Sequence, residues 1–202
     1  MLKYILTLTL LMGLCISVSA QNTQIDEALN RIFKDGTELF DKAQYRAAQV
    51  KFRQYITASK NPAEEFYIQA TFYASVCALY LEQSDFEVRV NNFIADYPTH
   101  PKAQQAYYYL GSYYFDKGDY EEALKNFAYT NLESVQDDWD IEAAFKIGYT
   151  YFVLDNYLRA KNYLMLVANT THKRAPAAYY YSGYIAYNEG NNDQALRYLE
   201  NS

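Results

Sequence analysis

Apolar residues recur along this chain at three- and four-residue intervals in short runs, each followed by a polar turn and a second run of the same kind. A first helix is expected from Asp26, a capping residue, with Leu29, Ile32, Phe33, Leu39 and Phe40 on one side. A turn at Asp41-Lys42-Ala43-Gln44 leads to a second helix carrying Tyr45, Ala48, Phe52 and Ile56, and Pro62 marks its exit. The next pair, to Tyr97, sets Phe66, Tyr73, Val76, Cys77 and Tyr80 on one helix and Phe86, Val90, Phe93 and Ile94 on the other. The third pair, YYYLGSYYFDKGDYEEALKNF from Tyr107 to Phe127, is entered through Tyr97-Pro98-Thr99-His100-Pro101. The fourth uses Ala144, Ile147, Gly148 and Tyr151, then Tyr157, Ala160 and Leu164. The fifth uses Tyr179, Ser182, Gly183 and Ala186, then Ala195 and Leu199.

One slot in each first helix is held by Gly36, Cys77, Gly111, Gly148 and Gly183, and one in each second helix by Ala48, Arg89, Ala123, Ala160 and Ala195. The two slots are 12 residues apart in every pair, while successive pairs follow at 41, 34, 37 and 35 residues. The turn inside each hairpin is therefore constant, and insertions fall between hairpins. Small residues at both slots let the paired helices approach closely, and a changed turn would rotate one apolar stripe off the seam. Each hairpin has too small a core to stand alone and gains stability by stacking on its neighbours.

Tyr107-x-x-Leu110-Gly111-x-x-Tyr114 followed by Ala123-x-x-x-Phe127 resembles the tetratricopeptide repeat (TPR) signature, with Tyr in the usual Trp slot. The resemblance covers nearly all of residues 26–202 and departs from the pattern at Asp35, Arg89, Ser182 and Ala186. It implies an all-α, right-handed superhelical α-solenoid of about five helix-turn-helix repeats, near residues 29–61, 66–98, 103–136, 141–174 and 176–202. Phe93-Ile94-Ala95-Asp96-Tyr97-Pro98, with Pro101-Lys102-Ala103, is similar to the inter-repeat phrasing of exported bacterial envelope repeat proteins. Repeat arrays close with a helix whose outer face is polar. None follows Ser202, so the array is expected to continue, or to self-associate or meet a partner through this end.

Composition narrows the class. Half of the 202 residues are hydrophobic with only 7 Gly and 4 Pro, which excludes a disordered or loop-rich chain. Tyr occurs 24 times, a residue suited to half-buried and partner-contacting surfaces. Residues 1–20 read as a signal peptide, with Lys3, an apolar run from Ile5 to Ile16 and Val18-Ser19-Ala20 at the cleavage position; residues 21–25 form a polar leader. Leu14 before Cys15 speaks against lipidation, and the run is too short to read as a membrane span. Cleavage would leave 17 basic and 24 acidic residues, a net charge of −7. With His172-Lys173-Arg174 as the densest basic cluster, neither nucleic acid nor anionic lipid is an expected partner. Cys77 would be the one remaining cysteine, read as a small buried thiol filling a helix contact.

No catalytic, metal or cofactor site is expected. His100 and His172 both fall between pairs, without ligand-type neighbours at metal-site spacing, and nucleophile-elbow, zincin and phosphate-loop patterns do not occur. Asp137-Asp138-Trp139-Asp140 reads as a solvated loop with Asp140 capping a helix from Ile141. Asn169-Thr170-Thr171 reads as an ordinary turn.

What remains is a surface. In the family, the first helix of each pair lines the concave side. The register of the third pair puts Gln105, Tyr108, Ser112 and Phe115 there, and the later pairs put Glu142, Phe145, Tyr149, Phe152, Ala177, Tyr180, Tyr184 and Tyr187. The resemblance thus implies an aromatic groove for a peptide or partner helix, with Tyr108, Phe115, Phe145, Tyr149, Phe152, Tyr180, Tyr184 and Tyr187 as its residues. The same rings could instead pack against the next repeat. The expected function is a non-enzymatic protein–protein interaction scaffold in a bacterial periplasm or at its outer membrane. The alternatives are a regulatory arm of a larger kinase or peptidase continuing beyond Ser202, and a carbohydrate-binding groove.

Overall fold

A computed structural model describes residues 25–59, 61–130, 132 and 138–202. The signal segment, Cys15 and the leader up to residue 24 lie outside these. The described residues form ten helices and no strand: α1 (25–41), α2 (Tyr45–Ser59), α3 (Glu65–Tyr80), α4 (Phe86–Asp96), α5 (Pro101–Asp116), α6 (Tyr120–Phe127), α7 (Asp138–Val153), α8 (Tyr157–Ala168), α9 (Ala175–Asn188) and α10 (Asn192–Leu199). Two compact units divide the chain, one up to Arg89 and the other Val90–Ser202. Two sequence expectations are corrected. Ile25, placed in the leader, is already helical, and α7 starts at Asp138 rather than Ile141. Asp138 and Asp140 therefore lie in its first turn, where carboxylates favour the positive end of the helix dipole.

All five hairpins turn by the same device. The second residue after each first helix is left-handed: Ala43, Glu82, Gly118, Asp155 and Gly190, with φ between 52° and 77°. The next residue's N–H then reaches back to a carbonyl five residues earlier, as Asp119 does to Tyr114 (2.9 Å) and Asn156 to Tyr151 (2.9 Å). This closes the helix end in a Schellman pattern. In the second unit that same residue caps the following helix. The side chains of Asp119, Asn156 and Asn191 accept from the backbone N–H groups of Glu122, Arg159 and Gln194. α3 ends two residues early and its turn is two residues longer, so the 12-residue spacing survives.

The glycine slots mark the closest approach of the helices. A Cβ at Gly36, Gly111, Gly148 or Gly183 would lie 2.8, 2.6, 3.0 or 2.9 Å from the side chain 16 residues later: Phe52, Phe127, Leu164 or Leu199. Around these seams the first unit buries Phe33, Phe52 and Tyr55 with Ala48, Ala70, Ala74 and Cys77. The second unit buries Phe127, Phe145, Ile147, Tyr151, Leu164 and Ile185 with a lining of alanines. Arg89, in the alanine slot of α4, turns its guanidinium out to Asp85 at 2.6 Å.

Candidate functional site

The first helices of the second unit, α5, α7 and α9, carry a run of aromatic rings that touch from repeat to repeat. Tyr108 is buried against Trp139, with centroids 4.8 Å apart edge to face, and leans on Phe127 at 6.1 Å. Phe145 is buried too, meets Tyr149 and Tyr181 at 6.4 Å, and lies under the Arg174 guanidinium at 4.9 Å. These two proposed groove residues are corrected to packing residues, because the next repeat's helix covers their slots.

Phe115, Tyr149 and Phe152 are half-buried and remain partly open. Tyr149 is the hub: its ring meets Phe115 (5.7 Å), Tyr120 (6.1 Å), Phe152 (6.2 Å) and Tyr181 (5.0 Å). Phe152 continues the run to Tyr181 (5.0 Å) and Tyr184 (5.5 Å). Burial first, then hydrogen bonding among the Tyr120, Tyr149 and Tyr181 hydroxyls, holds the Tyr149 phenol above its ordinary pKa and so neutral. Tyr180, Tyr184 and Tyr187 are exposed.

Trp139, Tyr120, Tyr157 and Tyr181 belong to the same surface and were missed from sequence. A signal for two of them existed. Nine residues after the glycine slot, the second helices open with Tyr45, Phe86, Tyr120 and Tyr157, and only the fifth has a polar residue, Asn192. In three hairpins that ring props the aromatic at the end of the first helix: Phe40–Tyr45 (5.5 Å), Phe115–Tyr120 (5.6 Å) and Phe152–Tyr157 (6.0 Å). Tyr187 faces Asn192's slot instead.

Charged links flank the rings between successive hairpins. Lys146 reaches Asp116 (3.1 Å) and Lys161 reaches Glu189 (3.3 Å). The Arg174 Nε–H donates to Glu142 Oε2 (3.0 Å), with Lys173 and His172 nearby at 3.5 and 3.9 Å. Exposed pairs of this kind contribute about 0–1 kcal/mol each, so they set register more than stability. Both histidines serve helix starts: His100 Nδ1 accepts from the Lys102 N–H (3.1 Å) and His172 Nδ1 from the Arg174 N–H (3.3 Å). Thr170 Oγ1 donates to the Val167 carbonyl and accepts from the His172 N–H, ordering the turn that holds the Asn169 triplet.

Among the described residues no group of three or more His, Cys, Asp or Glu side chains is placed to hold a metal ion, and no helix is long and apolar enough to cross a membrane. Burial pushes the Cys77 thiol up to about 12, which leaves it protonated and unreactive. A depression of 470 Å³ at the α5–α6 turn, lined by Lys117, Gly118, Asp119, Tyr120, Glu121 and Leu154, brings together no nucleophile and base.

No protein-family model matches the chain, and comparison with curated proteins returns no match. Solved structures do match. A crystal structure of MamA shares 16% identity over 82% of this chain and 91% of its own, with a TM-score of 0.58. The AMB-1 MamA shares 13% over 87% and 90%, with a TM-score of 0.63. A putative kinesin light chain from Podosopora anserina, with nearly identical TPR-like repeats, shares 12% over 86% and 92%, with a TM-score of 0.61. At these identities the likeness defines the fold: an all-α, TPR-like repeat solenoid.

Proposed function

We propose that this chain is a non-enzymatic scaffold that binds a protein partner, a peptide or a helix, on the aromatic surface of its second unit. The observation that carries the reading is the contrast along one stripe. Tyr108 and Phe145 are buried by the chain itself, whereas Tyr180, Tyr184 and Tyr187 stand exposed beside the half-buried Phe115, Tyr149 and Phe152. Tyrosine at such a surface supplies a large apolar ring and a hydrogen-bonding tip, the chemistry enriched at protein–protein contacts. The signal-like residues 1–20 and the envelope-type phrasing at Phe93–Pro98 support export and a periplasmic or outer-membrane-associated setting.

The test is affinity capture from envelope extracts with the wild type and a Tyr180→Ala/Tyr187→Ala double variant. Both side chains are exposed, so the variant should keep the wild-type melting temperature and lose its partner. Capture of the same protein by both forms would sink the reading. Tyr149→Ala is unsuitable as the probe, because losing that ring hub would change stability as well.

A further inference from the structure

Each repeat of the second unit shows what covers the aromatic side of a first helix, until the fifth. Phe145 and Leu164 of the fourth hairpin are 7% and 0% exposed, while the residues 35 positions later, Tyr180 and Leu199, are 51% and 42% exposed. Tyr184 and Tyr187, at the slots of Tyr149 and Phe152, are open as well. The fifth hairpin also lacks the charges used one repeat earlier. Glu142, which holds Arg174, is replaced at its slot by Ala177, and Lys161, which holds Glu189, is replaced by Leu196, which is 61% exposed. The face is apolar where its predecessor is charged.

The outward side of α1 is of the opposite kind. Glu27, Arg31, Lys34 and Glu38 are exposed along it. Burying those charges under the tyrosines would cost their hydration without returning partners, so a head-to-tail stack is disfavoured. Two fifth-hairpin faces suit each other: like apolar residues meet, and no buried charge is created.

We propose that a second copy of this chain docks here, tail to tail, in a closed two-fold dimer centred on Tyr180, Tyr184, Tyr187, Leu196 and Leu199. A two-fold contact uses the same patch on both copies and ends at the dimer. With roughly 150–250 Å² available from a fully buried aromatic, these side chains supply a few hundred Å² per copy, much of the about 800 Å² per partner that a stable interface buries. The proposal rests on the reading that this surface binds protein, and it names the partner for the fifth-hairpin part. Asp193 and Glu200 outnumber Arg197 at the rim, so each copy brings excess negative charge.

The test is sedimentation equilibrium of the purified full-length protein with no other partner present. A species of twice the chain mass is expected, with an affinity that holds or rises with salt as the acidic rims are screened. Leu196→Glu and Tyr187→Glu, both at exposed positions, should each weaken it at least tenfold with unchanged circular dichroism, and Lys34→Glu should leave it intact. A monomer at the highest soluble concentration, an open series of larger species, or a dimer indifferent to both tail variants would overturn it. A monomeric wild type that still captures an envelope protein through Tyr180 and Tyr187 would overturn the dimer alone. Loss of both would remove the protein-binding reading too.

Discussion

Gly111 lies under the ring of Phe127 so closely that a Cβ on the glycine would stand 2.6 Å from two of its ring carbons. Phe127 is buried and cannot swing clear. Gly111→Ala would gain up to about 1 kcal/mol in helix propensity but incur an overpacking cost of about 1–3 kcal/mol, so the clash wins. Chemical denaturation should show a net loss of stability. Phe127→Leu placed in that background should cost less than it does in the wild type, because the smaller side chain relieves the contact.

Ala43 sits at φ 55° and Gly118 at φ 77°, in equivalent turns. An L-residue in the left-handed region is disfavoured by about 1–2 kcal/mol, partly offset by the greater backbone entropy that glycine loses on folding. Ala43→Gly should therefore stabilise the protein by about 0.5–1 kcal/mol, and Gly118→Ala should destabilise it by a similar amount. Opposite shifts of the urea midpoint with unchanged slope would establish this; shifts of one sign would refute it.

Gln49, buried in α2, donates to the Ala74 carbonyl (3.1 Å) and exchanges hydrogen bonds with Gln83 at 3.1 and 3.0 Å. Gln49→Leu leaves that carbonyl and the Gln83 amide short of partners, at a cost of about 1–3 kcal/mol. Adding Gln83→Leu should recover part of the loss, since an amide without its mate is worse than two apolar groups. A double-mutant cycle with no coupling would contradict the paired arrangement.

Alkaline pH should unfold the protein cooperatively. Burial raises the Cys77 thiol from 9.0 to about 12, and burial raises the phenols of Tyr73, Tyr149 and Tyr163 above 10.0. Tyr55 is held higher still by burial and by its hydrogen bond to Glu64. For each group the folded pKa exceeds the unfolded one, so the native state keeps its protons longer. That stability is complete below about pH 9 and is lost as pH rises through the folded values. Melting temperature should hold to about pH 9 and then fall, with phenolate absorbance appearing together with unfolding. Phenolate formed well before the transition would count against these burials.

Hairpin register was legible in residue spacing. The 12 residues from Gly111 to Ala123, repeated at Gly148–Ala160 and Gly183–Ala195, are a local constraint, because helix pitch and a constant turn determine which faces meet. The left-handed turn residues were only half legible: Gly118 and Gly190 announce themselves, whereas Ala43, Glu82 and Asp155 take the same conformation under the pull of the Schellman hydrogen bonds. The candidate surface was legible as a stripe but not as a site. Phe145 and Tyr180 hold the same slot and the same kind of ring, so sequence alone determined that an aromatic stands at each. Only tertiary packing decided their roles, because burial depends on the neighbouring repeat: Tyr181 and Arg174 close over Phe145 and leave Tyr180 open.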